Sequence, residues 1–262
     1  MKTLNALGFA GVLACAMAVT LHGQDRRMPS GADVLARMYD KYGRKWFPTL
    51  TFTQKTTRRT PSGTMTEQTW YESLQWNPAG GARLRIDAGS LADGNGSIST
   101  ADSTWIVRAG KLTRTDTTGN PFIPLIENVY LQPVAVTLKQ LEPLQVDISR
   151  VVDVSWEGRP AWAVGAMSAS DTTSPQFWID KDRLVLVRML LRFAPTRPLF
   201  DIHLDNFVAT GGGWLAIKVA MLSGGVPRQI EEYSGWKTNV KLDRMLFDPA
   251  TWATATHWAV PR

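Results

Sequence analysis

Apolar and polar residues alternate along most of this chain, which is the period of strands that bury one face. Leu50 and Phe52 alternate with Thr49, Thr51 and Thr53, while Trp70, Leu74 and Trp76 share one parity. Arg83-Leu84-Arg85-Ile86-Asp87 changes character at every step. Turn residues separate the runs, among them Pro61-Ser62-Gly63, residues 77–81, Ala109-Gly110 and Glu157-Gly158-Arg159-Pro160. Further runs are expected at residues 146–156, 161–167, 184–192, 199–208, 214–222, 228–233 and 239–243. About a dozen such strands, with no regular alternation of strand and helix, predict an antiparallel barrel or a strongly curled sheet in a single domain.

Two stretches depart from this period. Ser30-Gly31-Ala32-Asp33 has the form of a capping box with Asp in place of Glu. Val34, Leu35, Met38, Tyr39 and Tyr42 then fall on one face, predicting an amphipathic helix to about residue 44. The second stretch is residues 119–144, GNPFIPLIENVYLQPVAVTLKQLEPL. Asn120-Pro121 suits a helix start. Phe122, Ile123, Leu125, Ile126, Val129 and Tyr130 recur near the helical period, and Pro133 interrupts them. Val134, Val136, Leu138 and Leu141 resume the pattern, so two short helical pieces are expected. An apolar insert midway through an antiparallel sheet either plugs the sheet or covers something it holds. The pattern alone leaves both open.

Composition narrows the setting. Lys2, an apolar run over residues 6–21 and the polar His22-Gly23-Gln24-Asp25 resemble a secretory signal peptide over residues 1–24. Residues 25–262 would then be the exported domain. Cys15 is the only cysteine; Val12-Leu13-Ala14-Cys15 is a poor lipidation box, so a lipid anchor there is not expected. Cleavage near Gln24 leaves no thiol chemistry. The formal charge of +6 is spread along the chain rather than clustered, and no nucleic-acid footprint stands out. Eleven tryptophans suit broad β-surfaces or an apolar cavity.

Candidate chemistry is sparse. Past residue 24 the histidines are His203 and His257, with no nucleophile elbow, Walker sequence or metal-ligand spacing. Neither a cofactor nor a metal is expected. Thr210-Gly211-Gly212-Gly213 reads as a hairpin loop, and the adjacent Glu231 and Glu232 must point to opposite faces. Asp201, His203 and Asp205 share one face of a strand, where a hydrolase or metal site could be built. A polar solvent face explains the same pattern.

Two motifs carry a resemblance. Phe177-Trp178-Ile179-Asp180-Lys181-Asp182-Arg183-Leu184 resembles the strand-turn-strand of outer-membrane lipoprotein-sorting proteins, the LolA/LolB-like periplasmic carriers. The stretch from Asn239 through Leu242-Asp243 and Leu246-Phe247 to Pro249 resembles that group's Asn-x-x-Leu-Asp-x-x-Leu-Phe-x-Pro terminus. The likeness spans residues 30–250, whereas residues 250–262 and Trp214-Leu215-Ala216-Ile217 depart from it. The resemblance implies a mainly β fold: one curled antiparallel sheet forming an unclosed barrel, with an N-terminal helix and a helical lid at about residues 120–144. It further implies a monomeric, non-catalytic periplasmic protein that carries lipid or lipoprotein acyl chains and meets envelope transport or membrane proteins. The expected cavity lining is Leu50, Phe52, Trp70, Leu84 and Ile86 from the sheet, with Ile123, Ile126, Val129 and Tyr130 from the lid. The same fold could instead be a self-plugged structural or sensory module that binds a protein.

Overall fold

The computed structural model describes residues 28–43, 45–193 and 198–260. The proposed signal peptide, Cys15 and the connection at Pro195 lie outside the described residues. The first helix, α1 (Gly31–Tyr42), begins at the expected capping box. The Ser30 amide donates to Asp33 Oδ2 at 2.8 Å, and the Asp33 amide donates to Ser30 Oγ at 3.2 Å. Val34, Leu35, Met38 and Tyr42 form its buried face. Gly31 permits close docking, since a Cβ there would lie 2.7 Å from Val164.

Thirteen antiparallel strands form one sheet built as two meanders. The first comprises β1 (Thr49–Arg59), β2 (Met65–Asn77), β3 (Gly81–Ala88), β4 (Gly96–Ser99), β5 (Thr104–Arg108) and β6 (Lys111–Asp116). The second comprises β7 (Val151–Trp156), β8 (Arg159–Val164), β9 (Gln176–Asp180), β10 (Leu186–Leu191), β11 (Phe200–Thr210), β12 (Gly213–Ser223) and β13 (Val226–Thr238). The order runs β6-β5-β4-β3-β2-β1-β13-β12-β11-β10-β9-β8-β7, so the first and last strands pair in the middle. β6 and β7 are the free edges, and the sheet does not close into a barrel.

That order explains the insert. The chain leaves one edge at β6 and must cross to the opposite edge to begin β7, which places residues 117–150 across the inner face. Asn120 Oδ1 accepts from the Phe122 amide at 2.9 Å, making a turn rather than a helix start. Helical structure begins later, with a π-helical turn at Pro124–Asn128 running into α2 (Val129–Leu131). Pro133 then breaks the path, as expected, and α3 (Val134–Leu141) follows. Asn128 fixes the insert to the sheet by accepting from the Ala82 amide at 2.8 Å. Tyr130 stacks on Trp46 at 3.7 Å between centroids, and its hydroxyl donates to the Leu184 carbonyl at 3.2 Å.

Two strand expectations shift. Residues 146–150 form a turn before β7 because Asp147 accepts from the Ser149 amide and hydroxyl. Residues 228–233 belong to a longer strand that runs to Thr238, whereas Asn239 takes φ 56° and ends it, so residues 239–243 are not a strand. The residues after β13 fold back on the outer face of the first meander. Arg83 donates to the Phe247 carbonyl at 3.0 Å, and Trp258 Nε1 donates to Ser73 Oγ at 2.8 Å.

Candidate functional site

Side chains of one strand parity converge on the inner face. Strand β1 supplies Leu50, Phe52 and Gln54; opposite them on β2 stand Leu74, Glu72 and Trp70, and on β3 Leu84 lies opposite Leu74 and Ile86 opposite Glu72. Between this surface, the second meander and the start of the insert lies a cavity of about 660 Å³. Leu204, Leu215, Val219 and Met221 form its wall from β11 and β12, with Phe200 and Tyr233 beside them. The insert contributes residues 119–122 and Ile126.

The structure therefore gathers Leu50, Phe52, Trp70, Leu84, Ile86 and Ile126 around one space. Ile123, Val129 and Tyr130 are not among its lining. They are completely or almost completely buried in the core cluster that also holds α1. The reason is the helical period: Ile126 turns toward the cavity, while its neighbours turn toward α1 and Trp46. The lining from β11 and β12 goes beyond the residues expected from the sequence, although the parity of Ile202 and Leu204 signals an apolar face. Tryptophan content was a poor guide. Trp70 lines the cavity, but Trp46, Trp162 and Trp178 are buried in the core, and Trp252 packs with Ile98 and Val107.

A polar seam crosses the cavity wall. Tyr233 donates to Glu231 Oε2 at 2.8 Å, Gln229 donates to the other Glu231 oxygen, and Arg58 Nε donates to Gln229 Oε1 at 2.6 Å. The Arg58 guanidinium also lies 4.5 Å from the Trp70 ring centre. Burial pushes the Glu231 carboxyl above the usual carboxylate range despite these donors. Glu72 is pushed well above it, by burial first and then by the nearby Glu231. Glu231 thus shares the cavity wall with a second carboxyl, from β2 rather than from its sequence neighbour, whereas Glu232 faces outward toward Lys55 at 3.7 Å.

The face carrying Asp201, His203 and Asp205 has a different character. Arg188 grips Asp201 with two bonds of 2.7 Å, and His203 Nε2 lies 2.9 Å from the same carboxylate. Burial alone would raise the Asp201 pKa, but Arg188 and His203 outweigh it and hold the value at about 2. Arg188 also covers Trp178 at 4.5 Å. Among the described residues no group of three His, Cys, Asp or Glu side chains is placed to hold a metal ion. Asp201 is thus already taken by Arg188, and His203 packs edge-on against Trp156 at 4.7 Å between ring centres.

No family model matches the sequence, and no curated protein matches it. Solved structures do. A domain assigned to outer membrane lipoprotein sorting, from Vibrio parahaemolyticus, superposes with a TM-score of 0.59 at 12% identity, over 85% of this chain and 98% of that one. A DUF1329 family protein from Desulfovibrio piger gives 0.57 at 10% identity, over 85% and 97%. A LolA superfamily protein from Nitrosomonas europaea gives 0.50 at 10% identity, over 82% and 97%. The chain has the LolA/LolB-like fold. In this LolA-like frame the Asp180 motif acquires a structural reason. The Asp180 carboxylate accepts from the Asp182 and Arg183 amides at 2.9 and 2.7 Å, shaping the turn in which Leu184 takes φ 54°. Arg159 and Arg183 outweigh burial and keep the Asp180 pKa at about 2.

Proposed function

We propose that this protein is an exported, periplasmic, non-catalytic carrier or binding protein that holds acyl chains of lipids or lipoproteins against its inner sheet face. The observation that carries this reading is the cavity between the sheet and the insert, walled by Phe52, Trp70, Ile86, Ile126, Leu204 and Val219. Its volume of about 660 Å³ falls in the range of sites that enclose a small ligand, roughly 300–1,000 Å³. Each buried methylene stabilises by about 0.8 kcal/mol, so ten to twelve offer roughly 8–10 kcal/mol. Ordering the chain offsets part of that and leaves an affinity from which cargo can be released. Among the described residues no helix is long and apolar enough to cross a membrane.

The test is solvent extraction and mass spectrometry of purified residues 25–262, beside an unrelated protein prepared identically. Stoichiometric acyl lipid is expected, and the same run identifies the cargo. A protein that is empty and also takes up no acyl probe would sink the carrier reading and leave a partner-binding module.

A further inference from the structure

Strand parity aims Glu72 into the cavity from the middle of β2, opposite Phe52 on one neighbour and Ile86 on the other. It is 5% exposed and lies in the cavity wall. The two carboxyls of this wall differ in one respect. Glu231 is held by Tyr233 and Gln229, whereas no hydrogen bond from a described residue reaches Glu72. The Arg58 guanidinium in the same wall is engaged with Gln229 and Trp70. The Glu72 carboxyl opens onto the cavity, where a bound ligand can supply the hydrogen-bond partner.

We propose that Glu72 is where the cavity reads a polar oxygen on its ligand: the bound compound is an acyl chain whose carbonyl, ester or amide oxygen accepts a hydrogen bond from this carboxyl. The inference rests on the acyl-chain reading above and narrows its cargo from hydrocarbon to an oxygen-bearing acyl compound. Burial first, and the Glu231 charge second, shift Glu72 toward its protonated form, the form that donates. A cationic amphiphile fits less well, because both charges would have to leave water within an apolar wall. Phe52, Trp70 and Ile86 surround the carboxyl with surface suited to the chain on either side of the oxygen.

The experiment loads the purified exported protein with diphenylhexatriene, a pure hydrocarbon reporter, and displaces it with methyl dodecanoate, tridecane or dodecylamine. The ratio of ester to alkane potency is compared between wild type, Glu72→Leu and Glu72→Gln, which cancels the probes' different solubilities. Glu72→Leu should still bind the reporter and lose about three- to tenfold of the ester preference, the size of one net hydrogen bond. Glu72→Gln, which retains a donor, should keep most of it. Bound reporter certifies a folded cavity, and Glu72→Met replaces the leucine variant if that one does not fold. An unchanged ratio in the apolar variant, or a wild-type preference for the amine, overturns the assignment of Glu72 while leaving a hydrocarbon-binding cavity. Failure of wild type to take up any probe is a different result, since it removes the carrier reading and this inference with it.

Discussion

On the inner face of the sheet, Glu72 and Glu231 sit among Phe52, Trp70 and Ile86, and neither is ion-paired among the described residues. On the outer face, Asp87 and Asp201 each lie against an arginine. The Asp87 carboxylate takes two bonds of 2.7 Å from Arg85 and sits 3.1 Å from His257. Arg85 also lies 3.7 Å from the Trp252 ring centre and donates to the Leu246 and Trp252 carbonyls. Burial is similar for Glu72 and Asp87, at 5% and 3% exposed, so burial does not separate them. Partners do. Arg85 and His257 outweigh burial and lower the Asp87 pKa, whereas burial raises Glu72 unopposed. Asp87, on the face that anchors the C-terminal tail, is thus held toward its charged form, and Glu72, in the cavity wall, toward its neutral form.

The largest effect should come from breaking the outer pair. Arg85→Leu strands the Asp87 carboxylate beside His257 and should cost about 3–5 kcal/mol in urea unfolding, with the tail beyond Thr238 becoming protease-sensitive. A loss under about 1 kcal/mol would mean the pair does not anchor the tail. On the inner face, Ile126→Asp should weaken acyl-probe binding at least about tenfold by putting a charge into the apolar wall, while the unfolding midpoint stays close to wild type. Unchanged binding would remove the insert from the site.

The pH dependence sharpens the contrast. Glu72 keeps in the folded state a proton that the unfolded chain releases near its ordinary value of 4.5. Its contribution is therefore most favourable below that value and declines as pH rises toward the folded pKa. Asp180 and Asp201, held at about 2 against an ordinary 3.8, act the other way: they stabilise above 3.8 and lose that as pH falls toward 2. Glu72→Gln should reduce the fall in thermal stability that sets in as pH rises above 4.5 and leave the loss toward pH 2 in place. Parallel profiles for the two proteins would show that Glu72 does not carry that fall. The smallest effect is expected for Trp258→Phe, which removes the bond to Ser73 and should cost about 0.5–1.5 kcal/mol in the same assay.

Much of the fold was legible because its rules are local. The capping box of α1, the alternation in β1 to β3, the break at Pro133 and the Asp180 turn all depend on residues a few positions apart. The cavity was legible in part: parity selected Leu50, Phe52, Leu84 and Ile86, and the helical period selected Ile126. Val129 belongs to the same apolar stripe, yet it is fully buried against the core. Val129→Asp would therefore report on folding, not on binding. Glu72 and Glu231 could not be matched in advance, because they lie on strands brought together only through β1.

By itself, the sequence determined that most of the chain forms strands, where the two helical stretches lie and which parity is apolar in strands such as β1 and β3, since these follow from the chain's own periods of 2 and 3.6. Tertiary structure decided the rest. Pairing β1 with β13 leaves β6 and β7 as distant edges, and that separation sends the insert across the inner face. It also decided which acids share the cavity wall. Arg85 meets Asp87 two residues away on one strand, which the period of 2 already encodes. Glu72 and Glu231 instead come to one wall through register across strands far apart in the chain, and no local pattern encodes that register.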